Sequence, residues 1–568
     1  MNTKLGLALS GGGFRASLFH IGVLSALAEL GILRSIEVIS SVSGGSIIGA
    51  YYYLYVKKLL ENNSDTEITS KQYVDLVKSL TDSFLEEVQK NIRVREYSHF
   101  LKNINMIRQR YSNSDRIAEL YDKMFYNRFA GGSRLAMTDL IIHPKNTVKS
   151  FNIREDNKTR TNRVPMLILN ASTLNTGRNW QFTAVDMGER EPVKQYDSFD
   201  KDFLFKSFKY TDTSISDKKY EKYRNLPLSI AVAASASVPG IFTPLALTKL
   251  YPNSVPMLVD GGVYDNQGLA SIVYEKCTDI IISDASGQLN FTKNVGEDNV
   301  SVLKRSNSDQ MNRIRNQGLE SIITRQEASF IHNAVIIHLM EDIEPEYLEP
   351  GGTIPQAHRA IGNKTYYGID RHIQLQLARI RTDLDSFTDV EAYSLMYSGY
   401  KMSISKIQGL YNHSLKDASV NLKSNETNNW KFLKIKEYCE GTLRSDYYDK
   451  QLTVASKTFF KAFKLDPKLY VILLLILLIS VLPLGIIIAL LLQFTDPKYV
   501  VLFFACALIL YFIPWVIRLI TKKHVPYISV LKIFFTTILS SVATIGLTLY
   551  VKWINPFYVR KGSLVKLK

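Results

Sequence analysis

Ser43 stands in the stretch Glu37-Val-Ile-Ser-Ser-Val-Ser-Gly-Gly-Ser-Ile-Ile-Gly-Ala50, with a β-branched run before it and apolar residues at helical spacing after it. Ile36, Val38, Ile39 and Val42 predict a short buried strand, and Ile47 to Leu60 predicts a helix. Gly44 and Gly45 supply the turn between them. A serine on so sharp a corner is pushed out of both elements, with its hydroxyl near the free amides of the helix N-terminus, as a nucleophile requires. The pattern Gly-x-Ser-x-Gly is met as Ser41-Val42-Ser43-Gly44-Gly45, with Ser41 in place of the first glycine. Taken alone, the same residues also fit a βα turn without chemistry.

Two further clusters add to this corner. Leu5-Gly-Leu-Ala-Leu-Ser-Gly-Gly-Gly-Phe-Arg-Ala16 reads as a strand, three glycines and a helix running to about Leu30. Gly11, Gly12 and Gly13 let main-chain N–H groups converge on one point, which is what an oxyanion requires. A dinucleotide or phosphate loop is the competing reading. Ala16 stands where its third glycine belongs, no acidic residue closes the next strand, and no Gly-Lys-Ser/Thr follows. The last cluster is Met257-Leu-Val-Asp-Gly-Gly262, an apolar strand whose terminal Asp260 faces the end of the sheet because two glycines turn the chain away. Asp284 closes a second strand, Asp279-Ile-Ile-Ile-Ser-Asp284, and is the rival carboxylate. All three clusters fall at C-terminal ends of predicted strands, where open α/β sheets place their sites.

With these residues the chain resembles the patatin-like phospholipases. The family's Gly-Gly-Gly-x-Arg/Lys loop is matched by Gly11-Gly12-Gly13-Phe14-Arg15, its elbow by Ser41 to Gly45, and its Asp-Gly-Gly/Ala by Asp260-Gly261-Gly262. Leu169 to Arg178 and Ala233 to Pro244 look familial as well, so the resemblance covers residues 4 to 287. It implies a three-layer α/β/α sandwich and a Ser-Asp dyad, Ser43 with Asp260, in place of a Ser-His-Asp triad. It prefers Asp260 to Asp284 as the base. It also implies that Gly11, Gly12 and Gly13 form the oxyanion hole, with Arg15 near a lipid phosphate or structuring the loop. No cofactor and no metal follow from it. His20 shows no pattern of a general base, and His332, His338, His358 and His372 lack metal-ligand spacing.

The remaining elements must hold that site. At 568 residues two or more regions are expected. We read 1–287 as the hydrolase domain, 288–456 as a mostly helical extension of unknown role, and 457–568 as a membrane anchor. Residues 68–130 predict a helical insertion with an apolar stripe at Val74, Val77, Phe84 and Val88, while 131–185 return to strands. Residues 193–225 read as a surface excursion, and 345–355 as a loop rich in glycine and proline. Met1-Asn-Thr-Lys4 is no signal peptide, which leads us to expect a cytoplasmic catalytic region. Cys277, Cys439 and Cys506 are too few and too scattered for a disulfide framework.

From Leu469 the composition changes. Residues 469–494 carry no charge over a length greater than the roughly 20 residues that span a bilayer, and 499–520 and 527–553 are two further apolar stretches. Two or three transmembrane helices are expected. The net charge is +16, and the 14 Lys and Arg against Asp466 and Asp496 after residue 456 account for about 12 of it. That placement points to an anionic lipid surface and not to nucleic acid. Three spans would leave the basic tail outside, against the positive-inside tendency. The expected activity is hydrolysis of glycerolipid acyl esters by an integral membrane protein, with phospholipid as substrate. An anchored esterase or peptidase acting on other substrates, and a silent scaffold of the same fold, are the alternatives. Truncation near Lys464 is expected to release a soluble hydrolase.

Overall fold

The computed structural model describes residues 3–107, 111–147, 151–190, 203–212, 220–286, 295–343, 362–414, 429–458, 461–494, 496, 498–499 and 528–567. Its strands are β1 (Leu5–Leu9), β2 (Ile36–Val42), β3 (Met166–Thr173), β4 (Asn179–Phe182), β5 (Asp186–Glu189), β6 (Phe208–Lys209), β7 (Leu245–Ala246), β8 (Met257–Asp260), β9 (Asp279–Asp284) and β10 (Asn333–His338). They form one mixed sheet in the order β10-β9-β1-β2-β3-β4-β5-β6. The first five of that order are parallel, β4 to β6 continue as an antiparallel meander, and β8 joins β3 and β7 antiparallel.

Alternation along the central strands makes three layers. Leu7, Leu9, Ile39, Leu167, Leu169 and Ile281 belong to one hydrophobic core, whereas Ala8, Val38, Ile168, Ile280 and Ile282 belong to another with Leu269, Ile272 and Ile322. Since successive side chains of a strand point to opposite faces, each face of the sheet carries its own helical layer. The smaller core lies under Leu269–Tyr274 and Asn299–Glu327. The larger one lies under the first helix, Gly13–Glu29, and the elbow helix, Gly44–Asn62. This is the expected α/β/α arrangement.

The expected division at residue 287 does not coincide with a break in packing. β10 extends the sheet beside β9, and the helix Asp389–Ser414 lies directly on the first helix. A Cβ on Gly22 would come within 1.9 Å of the Met396 carbonyl oxygen, and one on Gly399 within 2.3 Å of that of Phe19. Glycine at both places is what permits this approach of two backbones. The extension is thus part of the sandwich.

The insertion over 68–130 contains the helices Ser70–Val88, Phe100–Ile107 and Asn113–Tyr121, and Val74, Val77, Phe84 and Val88 are all buried. Phe84 and Phe125 stack at 5.0 Å and meet Phe14 edge-on at 6.1 and 6.3 Å, so the insertion supports the first turn after the glycine loop. Strands resume at Met166 and not at 131, because the described residues between them follow irregular turns and short 3₁₀ segments. Within the excursion β6 pairs with β5, while 191–202 and 213–219 lie outside the described residues. The loop at 345–355, His358, Cys506 and nearly all of the apolar stretch 499–520 lie outside them too. Cys277 and Cys439 are buried free thiols.

Near the C-terminal end, the helix Leu469–Phe494 is paired with the helix Ile528–Leu549. Gly546 faces Ser480 and Ile476, while Ala462, Phe463 and Leu469 share a core with Ile554 and Tyr558. The two helices therefore run antiparallel, with the foot of one beside the end of the other. Beyond them residues 555–567 return to the sandwich: Val390 N–H donates to Gly562 O at 3.0 Å, and the Tyr438 hydroxyl donates to Leu567 O at 2.8 Å.

Candidate active site

β2 pairs with β3 as far as Val42 opposite Asn170, and β8 takes over at Asp260 opposite Ala171. The other edge of β3 is occupied by β4 over these same residues, so β8 continues the line of β2 from the opposite direction. The two strands meet head to head. Ser43 follows the last residue of one and Asp260 is the last residue of the other. A Cβ on Gly261 would come within 3.1 Å of Val42 Cγ1 and 2.4 Å of Asn170 O, a junction closed to any larger residue.

Ser43 has φ 52° and ψ −120°, a conformation rare for a residue with a side chain. Such strain costs of order 1–3 kcal/mol and persists only where the surroundings enforce it. Here they do. Ser43 N–H donates to Ser235 Oγ at 3.0 Å, and Ser235 Oγ donates to Asn170 O at 2.6 Å. Ser46 Oγ bridges Ser235 Oγ at 2.8 Å and Ser41 Oγ at 3.2 Å, and Asn170 Nδ2 donates to Ser40 Oγ and Ser41 O, both at 3.0 Å. Ser41 is thus one of the hydroxyls that brace the elbow from behind. Gly45 is fixed by space, since its Cβ would stand 2.3 Å from Leu9 O.

Asp260 is buried, and burial pushes its carboxyl up to about 6 against the lowering influence of the Ser43 hydroxyl and of Gly262 N–H. Gly262 N–H donates to Oδ1 at 2.7 Å. Oδ2 has no partner at regular hydrogen-bond geometry, although the Ser43 hydroxyl lies near enough to stabilise the charge. The aspartate main chain is pinned as well, with Asp260 N–H on Ser237 O at 2.9 Å and Gly261 N–H on Ser235 O at 3.2 Å.

The glycine loop arrives from the other side. A Cβ on Gly11 would stand 3.1 Å from Ser43 Cβ. Gly11 N–H donates to Asn266 O at 2.9 Å, so this amide is engaged within the protein. Gly12 and Gly13, at φ 140° and 57°, have no acceptor for their N–H groups among the described residues. Arg15 turns away from the opening: its guanidinium is buried and donates to the carbonyls of Ala378, Ile380 and Ala285 at 3.0, 2.8 and 2.9 Å. These bonds tie Arg15 to the segment 378–380 and to the residue after β9.

Asp284 lies elsewhere. Its carboxylate accepts Arg315 Nε at 2.7 Å and Gln267 Nε2 at 3.3 Å, with His338 Nε2 at 3.9 Å. Burial alone would raise it, but His338, Arg315 and the hydrogen bonds hold it well below the usual carboxylate range. Burial also pushes His338 down to about 4, so Arg315 is the charge that acts at neutral pH. His20 spans Ser283 Oγ at 2.6 Å and Ser10 O at 2.9 Å and is likewise pushed down to about 4 by burial. It is a neutral buttress behind β1.

Sequence reasoning singled out the stretches holding Asn170 and Ser235 without assigning them roles. Their signal is polar residues inside otherwise apolar, buried elements. Asn266 and the segment 378–388, which flank the glycine loop, carried no local signal.

Residues 7–271, a little under half of the chain, match the family described as Patatin-like phospholipase. No curated protein matches. Among solved structures, human GIVD cytosolic phospholipase A2 in complex with methyl gamma-linolenyl fluorophosphonate is similar at 12% identity. In two structures of it the TM-scores are 0.36 and 0.31, with 72% of this chain and 58% of that one covered. VipD from Legionella pneumophila is similar at 13% identity and a TM-score of 0.23, over 83% of this chain and 86% of that one. This chain therefore spans little more than half the length of the human enzyme.

Proposed function

We propose that the protein is a membrane-anchored lipid acyl hydrolase that cleaves glycerolipid esters through Ser43 and Asp260. The observation that carries this reading is the head-to-head meeting of β2 and β8, which sets a strained serine beside a buried carboxylate held at about 6. Ser43 Oγ attacks the ester carbonyl while Asp260 takes its proton. The oxyanion is met by the N–H groups of Gly12 and Gly13, which stand ready without reorganisation. Collapse breaks the ester C–O bond, and the departing lysolipid oxygen takes the proton from Asp260. Water then attacks the acyl-serine with the same base, freeing the fatty acid and restoring Ser43. No cofactor enters.

Anchoring is part of the proposal. Among the described residues no helix is long and apolar enough to cross a membrane; the anchor is proposed on Leu469–Phe494. That helix nonetheless runs 26 residues without a charge. Val471, Leu474, Leu477, Leu478 and Leu482 are each about half or more exposed, which in a lone chain in water leaves an apolar patch without a partner. Lipid is the solvent that suits it. Lys464, Lys468, Lys552 and Arg560 ring the feet of the helix pair as exposed cations, the placement an anionic lipid surface favours. Lys461, one turn before Lys464, is buried in the protein. On this reading, with both feet on the sandwich, the intervening chain would cross an even number of times and the basic tail would share the catalytic side, expected to be cytoplasmic.

Release of fatty acid from phospholipid vesicles by the full chain, and its loss in Ser43→Ala, tests the reading. A fluorophosphonate probe that labels the parent should not label Ser43→Ala. Labelling with turnover of short soluble esters alone would favour an anchored esterase, and absence of labelling would favour a silent scaffold.

A further inference from the structure

Residues 378–388 link the helices Arg371–Ala378 and Asp389–Ser414 and touch two places that are far apart in sequence. One face clasps the glycine loop. Phe14 N–H donates to Asp383 O at 3.0 Å, and Arg15 holds the carbonyls of Ala378 and Ile380. A Cβ on Gly13 would meet Asp383 O at 2.8 Å and Asp383 N at 3.0 Å. The conformation of Gly13, and so the direction of its N–H, is thus moulded on this segment.

The opposite face holds a buried ionic cluster. Arg381 donates to Asp385 at 2.7 Å, to Glu391, to Ala455 O at 2.9 Å and to Ser386 O at 2.7 Å. Lys461, just before the first apolar helix, reaches Asp385 Oδ2 at 2.5 Å and Ser386 O at 2.7 Å. From beyond the second apolar helix, Tyr558 donates to Glu391 at 3.0 Å and Asn555 Oδ1 accepts from Ser386 Oγ at 2.6 Å. Arg381, Lys461, Asp385 and Glu391 balance in charge, and all four are at most 5% exposed. Charges so enclosed lose heavily if any one partner withdraws, so the cluster holds together as a unit or not at all.

We infer that Arg381, Lys461 and Tyr558 are positioning residues: they seat the feet of the apolar helix pair on segment 378–388, and through it they set the Gly12–Gly13 amides beside Ser43. The site is complete only when both feet are docked. This rests on the proposed role of Ser43 and assigns a task to the extension and to the tail.

The test is the rate at which a fluorophosphonate labels Ser43 in the full chain held in detergent micelles, because the phosphonyl oxygen occupies the place of the oxyanion. Lys461→Met should slow labelling by about tenfold or more, the scale of a displaced reacting group. Lys461→Arg should recover most of it. Tyr558→Phe, which removes a single hydroxyl and is expected to fold, should slow labelling about threefold. Lys434→Met, an exposed lysine in the segment Lys431–Ile435 outside that ring, should label like the parent. On a soluble ester the losses should fall on kcat and leave KM near the parent value. If Lys461→Met does not fold, Tyr558→Phe decides the matter. Parental labelling in a folded Tyr558→Phe, or equal slowing in Lys434→Met, would overturn the coupling. A parent chain that does not label at all would instead sink the role of Ser43.

Discussion

Gly44 lies against Gly13 so closely that a Cβ on it would stand 2.0 Å from the Gly13 carbonyl oxygen. The elbow and the glycine loop therefore interlock through bare backbone, and Gly44→Ala must push them apart. We expect a loss of at least about 100-fold in labelling of Ser43, as when a reacting group is misplaced by about 1 Å. Gly131→Ala is the control. Nothing lies within 4 Å of that position, and only its positive φ is strained, at about 1–2 kcal/mol. Equal labelling of the two variants would refute the interlock.

Asp260 trades stability for reactivity. Its carboxyl ionises at 3.8 in the ordinary case and at about 6 in the folded protein, so the fold favours the protonated form. The stability this supplies is complete below 3.8 and lost as pH rises through about 6. By pH 8 the buried carboxylate costs up to about 3 kcal/mol. Asp260→Asn should therefore abolish turnover yet melt higher than the parent at pH 8, with the gap closing near pH 3.5. Melting curves at the two pH values decide it. The parent's activity should climb through about pH 6 as the base ionises.

Asp284 should behave in the opposite way. Its folded value is depressed, so its stabilising contribution is present above 3.8 and disappears as pH falls below that. Asp284→Asn leaves Arg315 buried without a counter-charge and should cost about 3–5 kcal/mol at neutral pH. Denaturant titration measures the loss. A folded Asp284→Asn whose turnover falls more than that of Asp260→Asn would move the base to Asp284.

Truncation near Lys464, which the composition suggests, would remove Asn555, Tyr558 and Gly562 from the interior. We expect it to yield misfolded protein, against the sequence-based expectation of a soluble hydrolase. Replacing 474–540 with a short Gly/Ser linker keeps both feet and the contacts of Thr544 and Thr548 with Asn103 and Ser98. That variant should label at Ser43 near the parental rate while losing much of its vesicle activity. Parental vesicle activity without the helices would refute lipid delivery by the anchor.

Much of the catalytic half could be read from local pattern. Short apolar runs followed by glycines mark β1, β2 and β8, and the residues at those ends are the ones that converge around Ser43. The extension was illegible for a physical reason. The helix Asp389–Ser414 packs on the first helix where Gly399 meets Phe19 and Gly22 meets Met396, while its buried Ser394 and Ser398 bond Tyr448 and Gln374 on other elements, and such small and polar residues read as a surface. Arg381 and Lys461 read as solvated charges, because their partners lie on other elements. The strand Asn333–His338 adds to the sheet edge from within a stretch that otherwise reads as helical.

The return of residues 555–567 to the sandwich also sets an order in time. Translation delivers the β1 and β2 corner first, then the apolar helices, and only afterwards the residues that close the core around Thr388 and Glu391. A ribosome-bound chain halted before Asn555 would hold its nucleophile but lack the last side of the enclosure, and protease should find the 378–391 region open in it. Completion of the fold thus waits until the apolar segment has been made, and if that segment anchors the chain as proposed, the site would come into being only after its own insertion.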